Sequence, residues 1–211
     1  MGFQIVALRL LKGNDPKLSK KLTENHLFKF YSNTNFEFEN DEIVNFYLKE
    51  SIEFSLFNKG DSSINVSAIV GKNGTGKSSL IEIIYLLCYK LAARLDYLKK
   101  LEGEAIEEVT LYNTLRCELY YQKGTISYKL VQNGEGINLY SNESGKFSEK
   151  NILKSKKDLE NLFFSLVVDY SLYGLNEETA FWAKPLFLSL IHISEPTRRT
   201  PISYAVFCLK K

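Results

Sequence analysis

Hydrophobic and polar positions alternate in fragments along the first forty residues. Residues 3–10 (FQIVALRL) and 27–39 carry period-two stretches, with Phe28/Phe30 and Phe36/Phe38 set against Glu37 and Glu39. This alternation predicts short, half-buried strands. Between them GNDPKLSKKLTEN (13–25) is turn-rich and polar and reads as a surface connection. Ile52, Phe54 and Leu56 alternate with Glu53 and Ser55, predicting a further strand. After the turn NKGDSS, the β-branched run INVSAIV (64–70) predicts a buried central strand. From Lys77 the period changes. Leu80, Ile84, Leu87, Leu91, Leu95 and Leu98 recur at three- and four-residue intervals, predicting an amphipathic helix to about Lys100. Alternation then returns at Cys117/Leu119/Tyr121, Ile126/Tyr128/Leu130 and Ile137/Leu139, with turns at Lys123-Gly124 and Asn133-Gly134. These three strands form an antiparallel meander. Residues 141–161 are polar and lysine-rich and read as a loop and short helix, and FFSLVVDY (163–170) as another buried strand. No internal repeat is present.

Chemistry concentrates at the change of period. Gly71-Lys72-Asn73-Gly74-Thr75-Gly76-Lys77-Ser78 fits GxxxxGK[ST], entered by an apolar run and left by a helix. Glycines let a backbone wrap phosphates closely, and amide N–H groups with the positive end of the helix dipole hold the negative charge. Lys77, the candidate catalytic residue, is expected to reach the β- and γ-phosphates of ATP, and Ser78 to ligate Mg²⁺, with Ser79 completing the nucleotide site. Leu166-Val167-Val168-Asp169 has the form of a Walker B strand whose aspartate supports Mg²⁺. On pattern alone a strand that merely ends on a polar residue is the better reading, and Tyr170 stands where a hydrolytic glutamate would follow. Asn58-Lys59-Gly60-Asp61 matches the guanine-reading NKxD pattern. It lies too close before Gly71 to leave room for the helix and strand of a permuted GTPase, so GTPase is rejected.

Composition changes little until it is read by position. The 211 residues are 45% hydrophobic and 25% charged, an ordinary globular mix that excludes disorder and fibrous repeats. No apolar run approaches the ~20 residues that cross a bilayer. The first residues lack a signal-peptide pattern, and Val6 spoils a myristoylation match, so a soluble cytoplasmic protein without a membrane partner is expected. Cys88, Cys117 and Cys208 are too scattered for a disulfide framework or a zinc site. The scattered aromatics read as core, and Lys154, Lys156 and Lys157 as a solvated face. Three of four prolines (Pro185, Pro196, Pro201) and two of five arginines (Arg198, Arg199) crowd into the last 27 residues.

That segment, residues 188–211 (LSLIHISEPTRRTPISYAVFCLKK), resembles the translation of a transposase-type sequencing-library adaptor. LSLIHISEPTR matches the transposon end and primer, ISYAVFCLKK matches the flow-cell end, and Arg199, Thr200 and Pro201 cover most of the barcode between them. The other reading is a genuine tail with a strand at ISYAVFCL. As an adaptor it would be a non-native scar. The tail holds four basic side chains and Glu195, so residues 1–187 carry a net charge of −1 against +2 for the whole chain. Neither value argues for a nucleic-acid partner.

With INVSAIVGKNGTGKSSLIEIIYLL, LRLLKGND…LSKKL and VVDYSLYGLN, the chain resembles the N-terminal lobe of ABC-class ATPases. Within them it is most similar to the SMC/RecF/OLD-like branch and the AAA-family ATPases of bacterial restriction and anti-phage systems. The resemblance spans most of residues 3–187. It implies an α/β P-loop NTPase fold with a mixed sheet, a central P-loop helix and an antiparallel β-meander. It also implies ATP hydrolysis with Mg²⁺, a head-to-head homodimer around ATP, and DNA or a defence-system protein as partner. In such proteins a C-terminal lobe supplies the signature motif, Walker B Asp-Glu and switch histidine. None is recognisable here, and Asp169-Tyr170-Ser171 offers no Q-loop glutamine. Residues 1–187 are therefore expected to be a truncated lobe, an incomplete domain. The residues leave two rivals open: a complete small P-loop kinase or ATPase using Asp169, and a nucleotide-sensing module that does not hydrolyse.

Overall fold

The computed structural model describes residues 3–48, 69–94, 114–134, 136–143, 145–152, 165–169 and 204–208. In chain order the elements are β1 (Phe3–Leu10), α1 (Pro16–Ser19), β2 (Leu27–Lys29), β3 (Thr34–Glu39), β4 (Glu42–Leu48) and α2 (Lys77–Arg94). They continue with β5 (Arg116–Lys123), β6 (Ile126–Asn133), β7 (Gly136–Asn142), β8 (Ser148–Ile152), β9 (Ser165–Asp169) and β10 (Tyr204–Cys208). The chain divides into two compact units, Met1–Ile83 with Leu111–Leu153, and Ile84–Thr110 with Lys154–Lys211. Helices and strands together place the chain in the α/β class.

A six-stranded sheet in the order β2-β1-β5-β6-β7-β8 forms the frame of the first unit. All described strand pairings are antiparallel. The predicted meander is present as β5, β6 and β7, with Lys123 paired to Ile126 and Asn133 to Gly136 across two-residue loops. One face of the sheet carries Leu8, Leu10, Cys117, Leu119, Leu130, Ile137 and Leu139, all at most 3% exposed. Each such side chain contributes about 1.5–3 kcal/mol of transfer free energy. On the other face, Val6, Ala7 and Tyr120 pack with Ile43 and Phe46 of the β3–β4 hairpin. A bulge between Ile5 and Ala7 lets two successive β1 residues join this cluster. Phe36 and Phe46 both meet Tyr120 edge-on, with ring centroids 5.6 and 6.0 Å away. Arg9 stands opposite Glu118, 3.5 Å away, and donates to the Asp41 carbonyl at 2.9 Å. The hairpin is thus clamped by charge-assisted bonds as well as by burial.

Several elements depart from the sequence expectation. β4 was not anticipated, and β8 occupies part of the segment expected to be a loop and short helix. Within 64–70 only Ile69 and Val70 are described; neither is in a strand, and Val70 is 86% exposed rather than buried. Residues 52–56 and 64–68 lie outside the described residues, as does the helix beyond Arg94. The connection 13–25 contains the one-turn α1, capped by Asp15, whose carboxylate accepts from the Lys17 N–H at 2.7 Å. α2 is not amphipathic. Leu80, Ile83, Ile84, Leu86, Leu87, Cys88, Tyr89, Leu91 and Ala92 are all buried, and at 100° per residue they occupy its whole circumference. Its 18 residues span roughly 27 Å.

In the second unit β9 pairs with β10 from Asp169↔Tyr204 to Ser165↔Cys208. β9 matches the predicted strand 163–170, and β10 lies within the segment 188–211.

Candidate nucleotide-binding site

Gly71 to Thr75 form an exposed turn, followed by half-buried Gly76 and Lys77. The Lys72 carbonyl organises it, accepting from the Thr75 hydroxyl at 2.8 Å and from the Thr75 N–H at 3.4 Å. Gly74 and Gly76 take φ of +79° and +93°, the left-handed region that favours glycine. Gly76 is confined by neighbours as well as by its backbone: a Cβ there would sit 2.8 Å from Leu22 Cδ2. Its carbonyl accepts from the Leu80 N–H at 2.9 Å, so α2 starts directly on this glycine. The N–H groups of a first helical turn have no intrahelical partner and give this end of α2 its positive potential.

Lys77 folds back over the turn. Its Nζ donates to the carbonyls of Gly71 and Lys72, both at 2.8 Å. A Cβ at Gly71 would approach Thr75 Oγ1 to 3.0 Å, so a side chain there would press on the Thr75 hydroxyl that closes the turn. Ser78 is exposed on the first turn of α2, whereas Ser79 is 9% exposed and counts with the buried polar residues. Lys72 and Asn73 are exposed on the rim. The expected residues 71–79 thus form one continuous loop and helix start. Asp169 is the last residue of β9, in the other compact unit.

Two contacts at this site were not foreseen. Leu22 packs against Gly76, and Lys20 Nζ reaches Glu82 Oε2 at 2.5 Å on the second turn of α2. Nothing local in the sequence marks them, because partners more than fifty residues apart leave no periodic signal. Elsewhere in the first unit, a cleft of about 490 Å³ is lined by Arg9, Asp41, Glu118, Lys129, Lys146 and Phe147, among others. Its basic side chains are engaged by their neighbours: Arg9 with Glu118, Lys146 with Glu39, and Lys129 with the Ile43 carbonyl and the rings of Tyr140 and Phe147. No helix among the described residues is long and apolar enough to cross a membrane.

A protein-family model described as an AAA domain matches residues 24–178, more than half of the chain. No curated protein and no solved structure gives a significant match.

Proposed function

We propose, on the premise that this chain belongs to the AAA domain family of ATP-binding P-loop proteins, that Gly71 to Ser79 is its nucleotide site and Lys77 the residue on which binding depends. The observation that carries this reading is Lys77 folded back over its own glycine-rich loop, its ammonium 2.8 Å from two loop carbonyls. Loop amides and the start of α2 hold the phosphates, and Lys77 exchanges its carbonyl partners for phosphate oxygens. Gly71, Gly74 and Gly76 keep the floor of the loop free of side chains. Ser78, exposed on the first turn, would offer its hydroxyl to Mg²⁺, and Asp169, the last residue of β9, is the candidate carboxylate for the same ion on the Walker B pattern of its sequence. Mg²⁺ held there would neutralise part of the phosphate charge.

In the finer reading the protein is the N-terminal lobe of an ABC/SMC-like ATPase. Two heads close around ATP, and a DNA-maintenance or anti-phage partner in the cytoplasm receives the resulting movement. Support comes from INVSAIVGKNGTGKSSLIEIIYLL and VVDYSLYGLN, which resemble that branch. Residues 188–211 are read as a translated adaptor, supported by two constant adaptor segments in order and in one frame.

Titration of the full chain with Mg·ATP by calorimetry tests the site. Lys77→Ala is expected to weaken binding at least tenfold, and unchanged affinity would sink the assignment. Asp169→Asn is expected to abolish the benefit of Mg²⁺ while leaving Mg²⁺-free nucleotide affinity alone; an unaltered Mg²⁺ response removes Asp169 from the site. The adaptor reading is tested on source DNA: a genomic continuation encoding residues 188–211 refutes it.

A further inference from the structure

The polar connection between β1 and β2 is bonded at both ends of its path. Toward the sheet, Asn14 Nδ2 donates to the carbonyls of Leu11 and Arg116, each at 2.8 Å, and Asn14 Oδ1 accepts from the Arg116 N–H at 2.8 Å. The Leu11 N–H donates to the Arg116 carbonyl and the Asn25 N–H to the Leu10 carbonyl, at 3.0 and 2.7 Å. Glu24 accepts from the N–H groups of Gly13 and Asn14. Asn14 is 8% exposed, which is uncommon for an asparagine in a surface connection. Toward the loop, Leu22 is likewise 8% exposed and meets Gly76, and Lys20 pairs with Glu82. Lys20 also holds φ of +49°, a conformation that non-glycine residues adopt at a steric cost. A backbone so constrained, bonded to the sheet on one side and to the start of α2 on the other, transmits position.

We propose that residues 11–26 are a strut that fixes the phosphate-binding loop against the sheet, with Leu22 and Lys20 as positioning residues acting on Gly76 and Glu82. This inference rests on the nucleotide-site reading of Gly71 to Ser79. Most of the strut precedes the matched region 24–178, so family membership assigns it no role. Leu22 limits where Gly76 can move, and Gly76 is the hinge at which the loop becomes helix. The Lys20–Glu82 pair keeps the second turn of α2 in register with that hinge.

Mg·ATP affinity of the full chain, measured by calorimetry alongside thermal melts, tests the strut. Glu82→Gln removes a negative charge near the phosphates, so electrostatics alone predicts tighter binding. The strut predicts the opposite, a loss of two- to fivefold, the size expected when an exposed ion pair is removed. The swap Lys20→Glu with Glu82→Lys keeps the net charge and restores the pair, and is expected to return affinity to the parent value. Leu22→Ala is expected to weaken binding about fivefold or more while the melting transition stays cooperative. Equal or tighter binding by Glu82→Gln overturns the role of the ion pair, as does a loss that the swap fails to rescue. Unchanged affinity in Leu22→Ala overturns the role of Leu22. Lys77→Ala serves as the reference: loss of binding there with no effect in the strut variants refutes the strut alone. No loss in Lys77→Ala refutes the nucleotide site itself.

Discussion

Tyr121 stacks on Tyr128 with ring centroids 5.0 Å apart, yet its buried hydroxyl meets no hydrogen-bond partner among the described residues. An unsatisfied buried hydroxyl costs about 1–3 kcal/mol. Tyr121→Phe is therefore expected to raise stability by about 1 kcal/mol, read as a higher urea midpoint at neutral pH. Tyr120 differs, because its hydroxyl donates to Glu118 at 2.7 Å. Burial raises both phenols far above their ordinary 10.0, and the Glu118 charge pushes Tyr120 up further. With the folded value above the unfolded one, the unfolded chain releases these protons first as alkali is added. Stability from this source is complete below about pH 10 and declines above it. Melts from pH 8 to 12 should show that decline, and Tyr121→Phe should lessen it.

At the level of elements, the β3–β4 hairpin turns through Asn40 and Asp41 with φ of +49° and +65°. Two positive φ values in a two-residue loop favour Asn-Gly. Asp41→Gly should stabilise by about 0.5–1 kcal/mol in thermal melts, since Arg9 binds the Asp41 carbonyl, which glycine keeps. This hairpin also shows why β4 was illegible in the sequence. Its fully buried residues are Ile43 and Phe46, three apart, because the register shifts between Glu37 and Phe38. The bulge breaks the period of two and leaves a spacing of three, which reads as helical rather than as strand. β8 (SEKNI) was missed for another reason: as an edge strand it is placed by backbone pairing to β7 rather than by an apolar face. The meander was legible because Leu119, Leu130 and Leu139 sit in register on one buried face, and glycines mark both of its turns. The turn and helix start at 71–79 were legible because GxxxxGK[ST] sets glycines at fixed positions just before a helix. The helix after it was legible in position but not in burial, since leucine spacing reveals one stripe and says nothing of Leu86, Cys88 and Tyr89 on the other sides.

For the whole molecule, the segment 188–211 accounts for the apparent basicity and places β10 beside β9. Among the described residues β9 pairs with β10 alone, so a chain ending at residue 187 leaves Leu166, Val167 and Val168 with no strand beside them. Unpaired apolar strands template association. Light scattering is expected to show larger assemblies for the shortened chain than for the full one; a monodisperse shortened chain would mean that β10 protects nothing.

The bonds from Lys77 to the Gly71 and Lys72 carbonyls also set a threshold for what the loop admits. The loop carries its own competitor for its strongest cation. A weakly charged anion such as chloride or bicarbonate must displace two well-placed acceptors and has little to offer in return. A polyphosphate brings several charged oxygens, which surpass neutral carbonyls as partners for an ammonium. In the proposed nucleotide site this arrangement would act as a charge filter, indifferent to small anions and responsive to a ligand with enough negative charge to draw the lysine away.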